Sequence, residues 1–205
     1  MPRRIESLFV PGPAGRLEAL IEEPEETAPV GSALLCHPHP QHGGTMHNKV
    51  VYRVARGLRS TGHAVLRFNY RGVNLSEGSY DRGEGELEDA RAALAVLRDR
   101  YPHLPLTLAG FSFGARVVLR LAASPATSAQ RVIAVGFPVV YAERSALEEP
   151  SPERIFVHST NDQYGTVEEL TNMVARLAEP KRLEFVEAQD HFFAGALEKI
   201  GRAHV

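Results

Sequence analysis

The stretch Leu106 to Leu119, LTLAGFSFGARVVL, limits what this chain can fold into more than any other. Leu106 to Ala109 reads as a strand, Gly110-Phe111-Ser112-Phe113-Gly114 follows without a linker, and Val117, Val118 and Leu121 then return at helical spacing. A strand, a very tight turn and a helix with Ser112 at the apex make a nucleophile elbow. A serine that attacks a carbonyl must project from the end of a strand, on a backbone so sharply bent that strand and helix nearly collide. Glycine two residues before and two after the serine removes the side chains that would meet there. Because the helix begins at the serine, backbone N–H groups such as that of Phe113 point to where negative charge would develop.

An elbow needs a sheet behind it, and the rest of the chain supplies one. Ile5 to Val10 and Leu17 to Glu22 read as a hairpin around the turn-forming run Pro11-Gly12-Pro13-Ala14-Gly15, and the polar stretch Glu22 to Pro29 reads as a solvated connection. Further strands are expected at 32–36, 63–69, 132–136, 154–158 and 182–186. Helices are expected up to about Ser60, over 86–99, after Ser112, over 167–177 and over 193–200. Alternation of this kind predicts an α/β fold with a mostly parallel sheet of about eight strands, an antiparallel N-terminal hairpin and helices on both faces. With 205 residues, no internal repeat and no long linker, one domain over 1–205 is expected. The loops after Cys36, Asn69, Ala109, Gly136, His158 and Val186 then share one rim, beyond the carboxyl ends of the strands.

That rim selects the partners a serine requires. Of nine histidines, His191 follows the last strand in VEAQDHFF, whereas His63 starts a strand and His204 lies in the tail. Imidazole as a class titrates near neutrality, so it can take the serine proton and return it to a leaving group. Asp162, in HSTNDQYG after the strand RIFVH, is placed to hold the imidazole, giving the chain order serine, acid, histidine. Asp190 is a rival, but neighbouring side chains diverge. For the developing oxyanion, Phe113 N–H is one expected donor. In His37-Pro38-His39-Pro40 the prolines carry no N–H, which makes His39 N–H the second, with Gln41 or Gly43-Gly44 as alternatives. His37, His39, His42 and His47 also suggest a metal. No cysteine or acidic ligand stands beside them and alternate loop residues are poor tetrahedral geometry, so no metal is expected and His37 is read as a buried ring tying loops together.

Together, LLCHPHPQHGGTMHNKV, RFNYRGVNLSEGSY, LAGFSFGARV, FVHSTNDQ and QDHFF occur in an order and spacing that resembles the α/β-hydrolases. The similarity is to the small lidless bacterial branch near dienelactone hydrolase and the catalytic domains of acylaminoacyl peptidases. The resemblance covers nearly the whole chain and implies Ser112 as nucleophile, Asp162 as acid, His191 as base, and the Phe113 and His39 amides as oxyanion hole. Two departures stand out. Asn74 occupies the second glycine of the family's R-G-x-G-x-S-x-G pattern, a position asparagine tolerates in left-handed backbone. Phe137 to Pro152 is too short and proline-rich for a full lid domain.

The expected activity is hydrolysis of an ester-like bond in a small or soluble substrate, of carboxylesterase or thioesterase type, through an acyl-enzyme on Ser112. A lactone or acyl-peptide hydrolase using the same three residues is the alternative, and a non-enzymatic binding module fits poorly. Phe111, Phe137, Tyr164 and Phe192, together with Phe113 and Phe193, fall near the rim and are expected either at an apolar substrate pocket or in the core. Arg71 and Lys49 are read as solvated charges rather than carboxylate traps. No cofactor is implied. A net charge of −2 with both signs interspersed gives no basic surface for nucleic acid. No segment approaches the roughly 18 apolar residues of a membrane span. The single cysteine, Cys36, ends an apolar strand and reads as a buried thiol, and a cytoplasmic location is expected. The residues call for no particular oligomeric state.

Overall fold

The computed structural model describes residues 4–141 and 152–203. Eight strands form one sheet: β1 (Ile5–Gly12), β2 (Gly15–Glu22), β3 (Gly31–Cys36), β4 (His63–Phe68), β5 (Leu106–Phe111), β6 (Arg131–Val135), β7 (Glu153–Ser159) and β8 (Lys181–Val186). Their spatial order is β1-β2-β4-β3-β5-β6-β7-β8. β1 pairs antiparallel with β2 through a turn of only Pro13 and Ala14, β2 pairs antiparallel with β4, and every other pairing is parallel. The helices are α1 (Lys49–Ser60), α2 (Glu84–Arg100), α3 (Phe113–Ala122), α4 (Val167–Ala175) and α5 (Leu197–Ala203).

Both faces of the sheet are covered, and strand alternation decides which residue serves which face. On β3, Leu34 and Cys36 pack with Leu87 and Leu94 of α2, Val117 and Val118 of α3 and Leu170 of α4. The intervening Ala33 and Leu35 pack with Val50, Val54 and Leu58 of α1 and Ile200 of α5. A strand buried on both sides must read as a continuous apolar run, which is why GSALLC shows no polar alternation.

Chain order reverses at β3: the chain passes to β4 on one side and later returns to β5 on the other. Loops leaving β3 and β5 therefore diverge to opposite faces and open a crevice beyond the strand ends. A buried pair stiffens its flank, with Arg67 Nε donating to Glu22 Oε2 at 3.0 Å and Arg67 Nη1 to the Met46 carbonyl at 2.6 Å. Across the same loops, Asn69 Oδ1 accepts the Met46 N–H at 2.8 Å. Arg71, read from sequence as a solvated charge, instead chelates the fully buried carboxylate of Asp89 through Nε and Nη2. Asn74 adopts φ 48°, so the departure from glycine is accommodated in left-handed backbone.

The end of the chain departs from expectation. The closing helix spans Leu197–Ala203 rather than starting at Phe193. Phe193 and Gly195 have positive φ, of 57° and 78°, and Asp190 Oδ1 accepts the Ala194 N–H at 3.0 Å. Those turns drop Phe193 into the core at 0% exposure, so its apolar spacing mimics a helix without forming one. Most of the segment expected to be too short for a lid, residues 142–151, lies outside the described residues.

At the elbow, a Cβ on Gly114 would fall far inside 3.0 Å of the Cys36 and His37 carbonyls, and one on Gly110 would strike the Gly114 carbonyl. All are backbone atoms and cannot swing aside. Gly114→Ala is expected to destabilise the fold by about 3 kcal/mol or more, at or beyond the upper end for overpacking, read as a fall in urea midpoint. Unchanged unfolding would contradict this packing of helix on strand.

Candidate active site

Ser112 sits between β5 and α3 with φ 56° and ψ −115°, a conformation few side-chain-bearing residues adopt. Its N–H donates to the Val135 carbonyl of β6 at 2.9 Å, and the flanking glycines let strand and helix close on each other. The turn thus aims the hydroxyl into the crevice. His191 Nε2 lies 2.9 Å from Ser112 Oγ, and His191 Nδ1 lies 2.6 Å from Asp162 Oδ2. A proton on Nδ1 facing a carboxylate leaves the Nε2 lone pair facing the hydroxyl, the tautomer that can accept the Oγ proton. His191 and Asp162 are 1% and 6% exposed, so water competes little for these bonds.

The acid's second oxygen, Oδ1, accepts the Tyr164 N–H at 2.8 Å. Asp190, the rival, turns to the Ala194 N–H instead. Residues that sequence reasoning did not single out lock the two loops together. Gln163 Oε1 accepts the His191 N–H at 3.1 Å, and Asn161 Nδ2 donates to the Ala188 carbonyl at 2.6 Å. His158, fully buried on β7, bonds the Gly165 carbonyl through Nε2 at 2.8 Å, and burial lowers its pKa, keeping it neutral beside Asp162. Gly136, with φ 54°, passes under the imidazole, where a Cβ would meet Phe111 and His191. The only sequence signal for these was their place in FVHSTNDQ and at the end of a strand.

The loop after β3 forms the facing wall. His37 donates from Nδ1 to the Pro38 carbonyl at 2.6 Å and accepts the Tyr70 N–H on Nε2 at 3.1 Å. Both nitrogens are spent within the protein, and burial pushes its pKa down to about 3, so it serves as a neutral tie between loops rather than a ligand. Among the described residues no group of three or more histidine, cysteine or acidic side chains converges on a metal position. The Gln41 N–H is taken by His39 Nδ1 and the Gly44 N–H by the His39 carbonyl. No acceptor among the described residues takes the N–H of His39 or of Phe113. Cys36 is fully buried and its thiol is pushed up to about 12 by that burial. Iodoacetamide at neutral pH is therefore expected to leave the folded protein unmodified and to alkylate it in urea, as mass spectrometry would show.

Pro38, His39, Tyr80, Ser112, Arg116, Tyr164, His191 and Phe192 line a cleft of about 320 Å³. A larger hollow of about 850 Å³ lies at the opposite end of the sheet around Tyr101, His103 and Pro105, and contains none of the hydrogen-bonded residues above. Tyr164 and Phe192 are 38% and 49% exposed at the cleft wall, and Phe113 also reaches it. Phe111 and Phe137, expected near the pocket, do not line it. Phe111 is fully buried and stacks beneath His191 at 5.0 Å, and Phe137 packs on Phe156 at 6.0 Å. Both point into helix-covered faces, because a strand end can supply core as readily as rim.

Residues 32–203 match the family model described as an alpha/beta hydrolase domain. An uncharacterised protein of Rickettsia prowazekii is 32% identical over 96% of this chain and 85% of its own length. Among solved structures, a lidless α/β serine hydrolase from Xanthomonas campestris superposes with a TM-score of 0.90 at 35% identity, covering 99% of this chain and 93% of that one. An α/β serine hydrolase homologue from Coxiella burnetii superposes equally well, with a TM-score of 0.90 at 35% identity over 96% and 94% of the two chains. Among the described residues no helix is long and apolar enough to cross a membrane.

Proposed function

The chain belongs to the α/β-hydrolase family, and from that premise we propose that it is a serine esterase in which Ser112, His191 and Asp162 form the catalytic triad. The observation that carries the reading is the unbroken line of hydrogen bonds from Ser112 Oγ through both nitrogens of His191 to Asp162. His191 Nε2 takes the Oγ proton as Oγ attacks the ester carbonyl carbon, and Asp162 stabilises the imidazolium that results. The N–H groups of Phe113 and His39 receive the tetrahedral oxyanion; that both are free of internal acceptors among the described residues supports this role. Nε2 then returns the proton to the leaving alcohol as the carbon–oxygen bond breaks, and water, deprotonated by the same imidazole, releases the acyl group from Ser112. The half-apolar cleft of about 320 Å³ suits a small ester better than a long lipid.

A panel of p-nitrophenyl esters, thioesters, lactones and aminoacyl substrates tests the reading, with labelling by a fluorophosphonate as the substrate-independent measure. Turnover of short esters with labelling at Ser112 is the expected result. A folded protein that neither labels nor turns over any member of the panel would sink it.

A further inference from the structure

The cleft has two chemically different ends. At one, Tyr164 and Phe192 stand 4.7 and 5.3 Å from the His191 ring. At the other, the His39 ring stacks on His42 at 4.4 Å and meets Tyr80 and Phe113, each at 5.1 Å. Among the described residues no ring contact joins the two groups, and Ser112 stands between them, bonded to His191 and adjoining Phe113 in the chain.

The second end carries a constraint that fixes a proton. His39 Nδ1 accepts the Gln41 N–H at 3.2 Å, so it holds no hydrogen. The neutral ring has one N–H, which must then be on Nε2, 3.2 Å from the Tyr80 hydroxyl oxygen. Charging the ring would set a second N–H against that of Gln41. Burial, with the neighbouring charges of His42 and Arg116, lowers the His39 pKa and keeps the ring neutral. His39 therefore donates and Tyr80 accepts. The hydroxyl hydrogen of Tyr80 must turn elsewhere, and no acceptor for it exists among the described residues. Tyr80 lines the cleft, so that hydrogen has the cleft to turn into. Arg116, which has interactions of its own, adds positive charge to the same wall, and no carboxylate is exposed among the lining residues.

We propose that Tyr80 is a specificity-determining donor whose hydroxyl binds an oxygen acceptor carried by the substrate in addition to the scissile carbonyl. The preferred substrates are then esters bearing an ether, hydroxyl or carbonyl oxygen on the side that lies against His39. This rests on the hydrolase reading above and narrows it to a substrate class.

The test uses two matched pairs: p-nitrophenyl butyrate against p-nitrophenyl methoxyacetate, which differ by one oxygen on the acyl side, and butyl acetate against 2-methoxyethyl acetate, which differ by one oxygen on the alcohol side. Tyr80→Phe keeps the ring against His39 and Phe113 and deletes only the hydroxyl. For one of the oxygen-bearing esters, kcat/KM is expected to fall about threefold to tenfold further than for its hydrocarbon partner, the usual yield of one neutral hydrogen bond. Fluorophosphonate labelling and the unfolding midpoint report whether the variant keeps its site, and Tyr80→Leu serves as a second deletion of the hydroxyl. An equal fall across both pairs, or none, overturns the assignment while leaving the hydrolase reading intact. A wild-type protein that cleaves none of the four and resists labelling overturns both.

Discussion

Ser112→Ala is expected to lower ester hydrolysis by about 10⁴-fold to 10⁶-fold, as loss of a triad nucleophile does where the rest of the site persists, and to abolish fluorophosphonate labelling. The structure argues that the loss will be chemical rather than a failure to fold. Alanine keeps the Cβ, so the backbone strain at φ 56° is the same in variant and wild type. The N–H bond to the Val135 carbonyl does not involve the side chain. What disappears is Oγ, together with its bond to His191 Nε2. A small change in unfolding midpoint, within the roughly 0.5–1.5 kcal/mol of one hydrogen bond, should accompany the loss of turnover. Equal labelling of variant and wild type would mean that the reactive group is not Ser112.

Asp162→Asn should cost about 10⁴-fold in kcat, the penalty for holding a catalytic imidazole in the wrong tautomer. Asparagine could in principle present either its oxygen or its nitrogen to the ring, and the surrounding bonds decide which. The Tyr164 N–H requires an oxygen at the Oδ1 position. The amide nitrogen must then occupy the place of Oδ2 and donate to His191 Nδ1. That forces the ring proton onto Nε2, where it faces Ser112 Oγ and removes the lone pair that would accept the serine proton. Rates measured beside the unfolding midpoint separate this from misfolding. A loss of less than about tenfold would show that Asp162 does not set the tautomer, since even a modest general-base contribution exceeds that.

The elbow was legible because its constraints are local. Gly110, Ser112 and Gly114 are read within five consecutive positions, and the apolar run before them and helical spacing after them need no knowledge of distant residues. The two-sided burial of β3 was likewise readable in an unbroken apolar run, and the choice of Asp162 over Asp190 in the divergence of adjacent side chains. Phe111 and Phe137 resisted the same treatment. Each lies next to a rim residue, yet the pleat of β5 turns Phe111 under the imidazole, and the chain leaving β6 through Gly136, at φ 54°, carries Phe137 onto Phe156. Phe193 was misread for a related reason. Apolar spacing records that a side chain is buried, and a pair of left-handed turns held by Asp190 buries it as well as a helix would.

By itself the sequence determined the order of strands and helices, the sharp turn that carries Ser112 and the rim on which the polar groups gather, because periodicity and glycine placement act over a few neighbouring residues. Tertiary structure alone decided that Arg71 is held by Asp89, that Gln163 and Asn161 bind one rim loop to the next, and that His39 Nε2 donates its hydrogen bond to the Tyr80 hydroxyl oxygen. Those outcomes depend on which side-chain atoms meet between the loops after β3 and β4, between the loop after β4 and α2, and at the ends of β7 and β8. A hydrogen-bond direction is fixed only when both partners, distant along the chain, arrive within about 3 Å of each other.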